Sequence, residues 1–327
     1  MTATETTGLW TTDVLGPDFQ ALVLHLGADD EGPVVATLVR YAPPTEEEVR
    51  PARVLLYVHG WSDYFFQTEL ARYWHAQGAA FYALDLRKYG RSLRPGQSPG
   101  YTDHLGEYDG DLAAAMAVIR RDHGARVRVT FMGHSTGGLI GALWAARQPD
   151  QVCALVLNSP WLGIQGSAVL RHMGTPALNQ FARFGPKTAL PNINPGYNAR
   201  TVGVAGGGEW TYDLAWRPPA SFPVRVGWLR AIMAGHAAVA RGLDIGVPIL
   251  TLASTRSLIS PRWSEAMRTA DIVLDVEVMV RRAVKLGRAV TVIRIEDGLH
   301  DLALSRPAVR GRFYAEITRW TTAYGWG

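Results

Sequence analysis

The sequence predicts a doubly wound α/β fold: a mostly parallel, eight-stranded sheet with helices on both faces and an inserted, mainly helical segment. Three observations predict it. From about Val54 onward, short β-branched runs alternate with stretches of helical periodicity. One strand-to-helix junction carries Gly133-His134-Ser135-Thr136-Gly137. Between about residues 160 and 245 the alternation stops, and aromatic residues mix with many Gly and Pro without a clean strand.

The elements follow in order. Ala21–Leu26 and Val34–Tyr41 read as an opening antiparallel pair joined by the turn-rich Gly27–Pro33, and Pro43–Pro51 as a charged surface connection. Val54–Val58, Ala80–Leu84, Val127–Met132, Val152–Leu157, Val247–Ala253 and Val290–Ile295 are short apolar runs bounded by Gly, Pro or Asp, most of them followed by a helical pattern. Such runs suit strands buried on both faces. The expected division is therefore a core built from residues 1–159 and 246–327, with a cap inserted over 160–245. The cap holds Trp161, Phe181, Phe184, Tyr197, Trp210, Tyr212, Trp216, Phe222 and Trp228.

Composition narrows the class. With 327 residues, 47% hydrophobic and 19% charged, the chain can bury a sizeable core. Its single cysteine, Cys153, lies in an apolar run, so no disulfide within the chain staples the fold and a buried, inert thiol is expected. The first residues have neither a basic nor an apolar leader character, and no apolar run is long enough for a membrane span, so a soluble, cytoplasmic protein is expected. The net charge of +4 is dispersed among interleaved acids, which argues against nucleic acid as a partner.

The Gly-x-Ser-x-Gly run is informative because of where it sits. A turn this tight between the strand ending at Met132 and the helical pattern starting near Thr136 forces the serine into a strained backbone, and the flanking glycines remove side chains that would collide. Ser135 is the candidate nucleophile. In acyl transfer the attacked carbonyl oxygen becomes an anion, and two backbone N–H groups aimed at it supply most of its stabilisation. Thr136, after the nucleophile, and Trp61, in the loop after Val54–Val58, are the expected donors. The Trp61 side chain, with His59 beside it, is then free to wall the substrate site. A base must take the serine proton. Of the nine histidines, only His300, in Gly298-Leu299-His300-Asp301, sits in a loop beyond the last strand. His134 is expected to pack or hydrogen-bond beneath the turn, and His25, His75, His123, His172 and His236 have surroundings typical of structural histidines.

The set His59-Gly60, Asp85-Leu86-Arg87-x-x-Gly90-Arg91-Ser92, Gly133-His134-Ser135-Thr136-Gly137-Gly138 and Gly298-x-His300 resembles the α/β-hydrolase branch of monoacylglycerol lipases, lysophospholipases and serine aminopeptidase S33-type proteins. The resemblance runs from about Val54 to the C-terminus and is weakest in the cap. It implies a serine hydrolase of esters or related acyl compounds that uses no metal or organic cofactor. Two departures stand out. His59-Gly60-Trp61-Ser62-Asp63 lacks the second glycine and the Glu-His pair common in monoacylglycerol lipases, so glyceride specificity does not follow. Lys88-Tyr89 replaces the usual Gly-His, so that turn is expected to pack differently.

The triad acid departs as well. Members of the group usually carry it within a few residues of the strand corresponding to Val247–Ala253, yet Ser254–Pro261 offers no carboxylate. Asp271-Ile272-Val273-Leu274-Asp275-Val276-Glu277 matches the spacing of the group's Asp-x-Val-Val-Asp-Pro-Glu pattern, as though residues had been inserted ahead of it. Asp271 is therefore preferred as the acid, with Asp275 as the alternative. Asp275 has a competing task, since it precedes the helical stretch Val276–Leu286 and can cap it. Asp297 and Asp301 are expected to serve the loop or the next helix.

The mechanism expected is attack by Ser135, proton transfer through His300, orientation by Asp271 and oxyanion binding by the Trp61 and Thr136 amides. The expected substrate is a small, apolar acyl ester, with Trp161, Trp210, Trp216 and Trp228 as candidate cap contacts. Aromatic residues in such a segment more often form its own small core. Two alternatives remain open: a binding protein on the same scaffold, and an aminopeptidase using Glu209 and Asp213 to hold an α-ammonium.

Overall fold

The computed structural model describes residues 8–44, 52–164, 183–192 and 194–325. Phe181, His172 and most of the expected Pro43–Pro51 connection lie outside the described residues. The sheet has nine strands: β1 Thr11–Asp13, β2 Gly16–Asp29, β3 Gly32–Tyr41, β4 Arg53–Val58, β5 Ala80–Asp85, β6 Arg128–His134, β7 Ala154–Asn158, β8 Ile249–Ser254 and β9 Val290–Ile295. Their spatial order is β1-β2-β3-β5-β4-β6-β7-β8-β9. The pairs from β5 through β9 are parallel and the N-terminal ones antiparallel, as the alternation predicts.

The short β1 is the strand that the sequence did not disclose. The hairpin β2–β3 also extends through the stretch expected to be a loop, reversing at Asp30-Glu31. An acceptor from the chain itself closes that turn: Asp29 Oδ1 takes the Glu31 amide at 2.8 Å.

Period-two patterning with apolar residues on both faces gives two core layers. On β4, Val54, Leu56 and Val58 face one layer while Leu55 and Tyr57 face the other. The first layer is completed by α2 Tyr108–His123, α3 Thr136–Arg147 and α5 Val226–Arg241, the second by α1 Thr68–Ala76 and α7 Pro307–Trp320. Between β7 and β8 the described residues form α4 Tyr197–Val202, the longer α5, turns and two isolated bridges, with no strand. Although α5 falls inside the segment expected to be a cap, its Trp228, Ile232 and Val239 are buried in the core layer with Leu139 and Leu143. Among the described residues, no helix is long and apolar enough to cross a membrane.

A parallel sheet places all its strand C-termini on one edge. Here that edge gathers the His59–Asp63 loop after β4, Ser135 after β6, the excursion after β8 and the Gly298–Asp301 loop after β9.

Candidate active site

Ser135 separates β6 from α3 with φ 52° and ψ −113°, a conformation that costs a non-glycine residue energy and is retained where the surroundings over-determine it. The surroundings here are backbone. A Cβ on Gly133 would stand 2.5 Å from the Gly137 carbonyl oxygen, and one on Gly137 would stand 2.4 Å from that of His59. The glycines of the motif are therefore demanded by close approach of β6, α3 and the His59 loop. Ser135 is anchored through its own backbone as well: its amide donates to the Asn158 carbonyl at 3.0 Å and its carbonyl accepts from Trp161 at 2.9 Å.

His300 Nε2 lies 3.0 Å from Ser135 Oγ, and His300 Nδ1 lies 2.9 Å from Asp271 Oδ2. All three residues are buried. This is hydrogen-bonding geometry for a nucleophile, a base and an orienting carboxylate. The other Asp271 oxygen, Oδ1, accepts the Val273 and Leu274 amides, each at 2.8 Å, so the carboxylate cannot swing away without losing both. Asp275 points elsewhere: its Oδ1 accepts the Glu277 and Val278 amides as the N-cap of α6 Val276–Ala283. Asp301 likewise caps its own turn through the Ala303 amide.

Beneath these groups runs a buried polar network. Asn158 Nδ2 donates to Asp301 Oδ1 at 2.7 Å, Gln67 Nε2 donates to Asp301 Oδ2 at 3.1 Å and to Tyr57 Oη at 3.2 Å, and Asn158 Oδ1 accepts the Leu302 amide. The network ties β7, α1 and the His300 loop together. His134 packs over the His300 ring, centroids 4.9 Å apart, and donates Nδ1–H to the Asn158 carbonyl at 3.2 Å. Burial lowers its pKa and keeps it neutral. One ligand atom from each of Asp63, His134 and Asp301 lies within 4.8 Å of the others. The Asp301 oxygens are engaged by amide donors and Asp63 by Arg217, so the trio fits a hydrogen-bonded network better than a cation cage.

The Trp61 and Thr136 amides make no backbone hydrogen bond among the described residues, and Thr136 is the first residue of α3, where helix amides are free. Ser135, His134 and His300 open into a cavity of about 490 Å³. Its lining includes Trp61, Asp63 and Arg217, residues 197–199 and 218–219, and residues 258–261, Met267, Ile272 and Val273. Asp63 and Arg217 form a buried ion pair at 3.0 Å within it.

Of the side chains expected to contact substrate, only Trp61 lines this cavity. His59 is a structural residue: its Nε2 accepts the Leu86 amide at 3.1 Å and its ring packs on Tyr89. Trp228 is 1% exposed and packs at a tilt against Trp61, with centroids 3.7 Å apart, because α5 belongs to the core layer. Trp161 packs on Trp228 and His236. Trp210 donates Nε1–H to the Leu304 carbonyl at 3.0 Å, and Trp216 packs edge-on against Tyr64. Glu209 pairs with Arg310, and Asp213 Oδ1 accepts the Ala215 amide; neither lines the cavity. The Lys88-Tyr89 turn packs in its own way: Lys88, at φ 63°, reaches Asp29 and Glu31 of the β2–β3 hairpin, while Tyr89 supports His59 and Trp61.

Sequence reasoning missed Arg217 and the 258–261 wall entirely, because their approach to Ser135 is made by chain segments with no periodic pattern. Asp63 stood in the quoted loop after β4, but nothing in sequence indicated that an arginine from so far along the chain would meet it.

Comparison with known proteins agrees with this architecture. The family model described as serine aminopeptidase, S33, matches residues 49–268, more than half of the chain. The chain belongs to the serine aminopeptidase S33 family of α/β-hydrolases. The matched stretch includes Ser135 and ends before Asp271 and His300. A monoacylglycerol lipase of Mycolicibacterium smegmatis is 32% identical over 111 residues, 34% of this chain and 38% of that protein. Lipase LipV of Mycobacterium tuberculosis is 36% identical over 124 residues, 36% of this chain and 41% of that protein. The chain thus spans about two fifths of the length of these curated relatives. Among solved structures, a monoglyceride lipase of Saccharomyces cerevisiae, a soluble variant in complex with a substrate analogue, aligns with a TM-score of 0.60 at 14% identity, covering 92% of this chain and 95% of that one. The monoacylglycerol lipase of Paleococcus ferrophilus aligns with a TM-score of 0.59 at 18% identity, covering 82% and 93%. These likenesses show the fold.

Proposed function

We propose that the protein hydrolyses carboxylic esters through an acyl-enzyme on Ser135. The observation that carries this reading is the chain of contacts Ser135 Oγ to His300 Nε2 and His300 Nδ1 to Asp271 Oδ2, 3.0 and 2.9 Å, opening into a cavity. Ser135 Oγ attacks the ester carbonyl carbon as its proton passes to His300 Nε2, and Asp271 holds the imidazole in the tautomer that accepts it and stabilises the cation that forms. The carbonyl oxygen, now an anion, takes the Trp61 and Thr136 amides. Collapse breaks the bond to the alkoxy group, which leaves with the proton from His300. Water, deprotonated by the same histidine, then attacks the acyl carbon, and the acid departs as Ser135 recovers its proton.

The lipase names of the relatives support ester substrates. The mixed cavity lining, which holds Leu258, Ile259 and Pro261 as well as the polar Asp63–Arg217 pair, supports an apolar acyl chain. The segment between β7 and β8, apart from α5, serves as the cap, since it supplies residues 194–195, 197–199, 217–219 and 221 of the lining. The family description favours a second reading, an aminopeptidase, but the two acids considered for an α-ammonium are engaged away from the cavity, Glu209 with Arg310 and Asp213 with its own turn, and Asp63, which does line it, is paired with Arg217.

Treatment with a fluorophosphonate tests the proposal. Intact mass should show one adduct, absent in Ser135→Ala, with turnover of p-nitrophenyl esters lost in the same variant. Labelling that persists in Ser135→Ala would overturn it.

A further inference from the structure

The residues that separate β8 from Asp271 leave the sheet edge, run along the cavity and touch the cap. At the base of this excursion the chain is closed on itself. The Asp271 amide donates to the Arg256 carbonyl at 3.0 Å, the Leu258 amide to the Asp271 carbonyl at 2.8 Å, and the Arg256 guanidinium holds Thr269. At its tip the chain is held by the cap instead. Two guanidiniums lie over the Trp263 ring: that of Arg200 at the end of α4, 4.0 Å from the centroid, and that of Arg268 at 5.1 Å. Arg268 reaches on to the Gly206 and Arg200 carbonyls, Tyr197 Oη donates to the Pro261 carbonyl at 3.1 Å, and the Tyr197 ring packs edge-on to Trp263. Glu265 accepts from both Trp263 Nε1 and Arg268 Nε, holding the ring and the second cation together.

Trp263 itself does not line the cavity, but the segments it joins do: residues 197–199 from α4 and 258–261 from the excursion, which adjoin at the Tyr197–Pro261 hydrogen bond. We infer that Trp263 is a specificity-determining positioning residue, a clamp that fixes the distance between these two walls and so the length of acyl chain the cavity accepts. The inference rests on the proposed ester hydrolysis at Ser135. Two mechanical features give it content. The clamp is made of ring–cation contacts on a half-buried indole, which are individually modest and can yield. The Asp271 carboxylate is held by the separate base of the excursion and by the Val273 and Leu274 amides, so loosening the tip changes the walls without disarranging the group that orients His300.

The test compares p-nitrophenyl acetate with p-nitrophenyl octanoate. An acetyl group ends near Ser135, whereas an octanoyl chain must lie between the two walls. Loss of two ring–cation contacts in Trp263→Ala should raise KM for the octanoate about five- to tenfold, while KM for the acetate and kcat for either ester stay within about twofold. Trp263→Phe, which keeps a ring for both guanidiniums, should restore most of the octanoate KM. An unchanged octanoate-to-acetate ratio in Trp263→Ala, a parallel rise for both esters, or no rescue by Trp263→Phe overturns the inference. If Trp263→Ala does not fold, Arg200→Met decides: a rise in octanoate KM alone supports the clamp and the parent ratio refutes it. Ser135→Ala in the same assay separates the two levels of the argument. If it abolishes hydrolysis while the clamp variants keep the parent ratio, only the clamp falls; if hydrolysis persists, the assignment of the site falls and the clamp with it.

Discussion

Asp271 and Ser257 form a parallel bridge just past the C-terminal end of β8. The chain leaves the sheet, makes its excursion and returns to the place it left, so a carboxylate far along the sequence is delivered to the edge of the strand. Ser257 Oγ secures the return by donating to the Leu274 carbonyl and accepting the Val276 amide, both at 2.8 Å.

The division of labour between the two acids follows. Asp271→Asn retains the shape but presents an amide to His300 Nδ1, favouring the wrong tautomer, and turnover should fall on the order of 10⁴-fold. Asp275→Asn should leave turnover nearly intact, since Asn caps helices about as well as Asp. Steady-state rates of both variants on one ester check this; the reverse pattern would reassign the acid.

Gly137→Ala should damage both chemistry and stability. The new methyl would meet the His59 and Val58 carbonyl oxygens at 2.4 and 2.5 Å, and neither is the end of a flexible side chain. The turn must retreat from the His59–Trp61 loop, separating Ser135 from one expected oxyanion donor, and displacements of about 1 Å at a reacting atom cost about 10²-fold in rate. Gly311→Ala is the control: it lies in α7 with nothing within 4 Å of the added methyl, so thermal unfolding should show a gain of about 0.5–1 kcal/mol.

The tryptophans of the segment between β7 and β8 should act on stability rather than on substrate choice. Trp228→Ala empties a fully buried site against Trp61 and should cost about 3–5 kcal/mol in denaturant unfolding. Trp210→Ala and Trp216→Ala should keep the parent's preference among acyl chain lengths. Ala199→Phe, on the cavity wall, should instead lower kcat/KM for octanoate relative to acetate about tenfold.

Acid should loosen the fold through His236. Its Nε2–H donates to the Trp161 carbonyl at 2.9 Å, and burial pushes its pKa down from 6.5 to about 4. The unfolded chain therefore binds a proton between pH 6.5 and 4 that the folded chain refuses. Stability is full above that window and falls as pH drops through it, by up to about 3 kcal/mol. His236→Gln keeps a donor without titrating, so chemical denaturation from pH 7 to pH 4 should show a flatter profile than the parent.

Local pattern made much of this legible in the chain. Both-face apolar runs announced the parallel strands, and the glycines around Ser135 announced a turn, because close backbone approach leaves a compositional mark. His300 stood out by its place after the last strand, and Asp271 by the resemblance of Asp271–Glu277 to the family's acid pattern. The hairpin β2–β3 runs on beyond its apolar residues because its end, Gly27–Asp29, is exposed throughout and its pairing is irregular between His25 and Ala28, so it carries no alternating pattern and resembles a loop in one dimension.

Sequence by itself determined the parallel strands and the strained serine turn, since each depends on the preferences of neighbours along the chain. Tertiary structure alone decided which tryptophans support the site, that Arg217 would pair with Asp63 inside the cavity, and that Trp263 would be held between Arg200 and Arg268. Those contacts join segments with no periodic signal and lie far apart in sequence, so their energies depend on distances that exist only once the chain has packed.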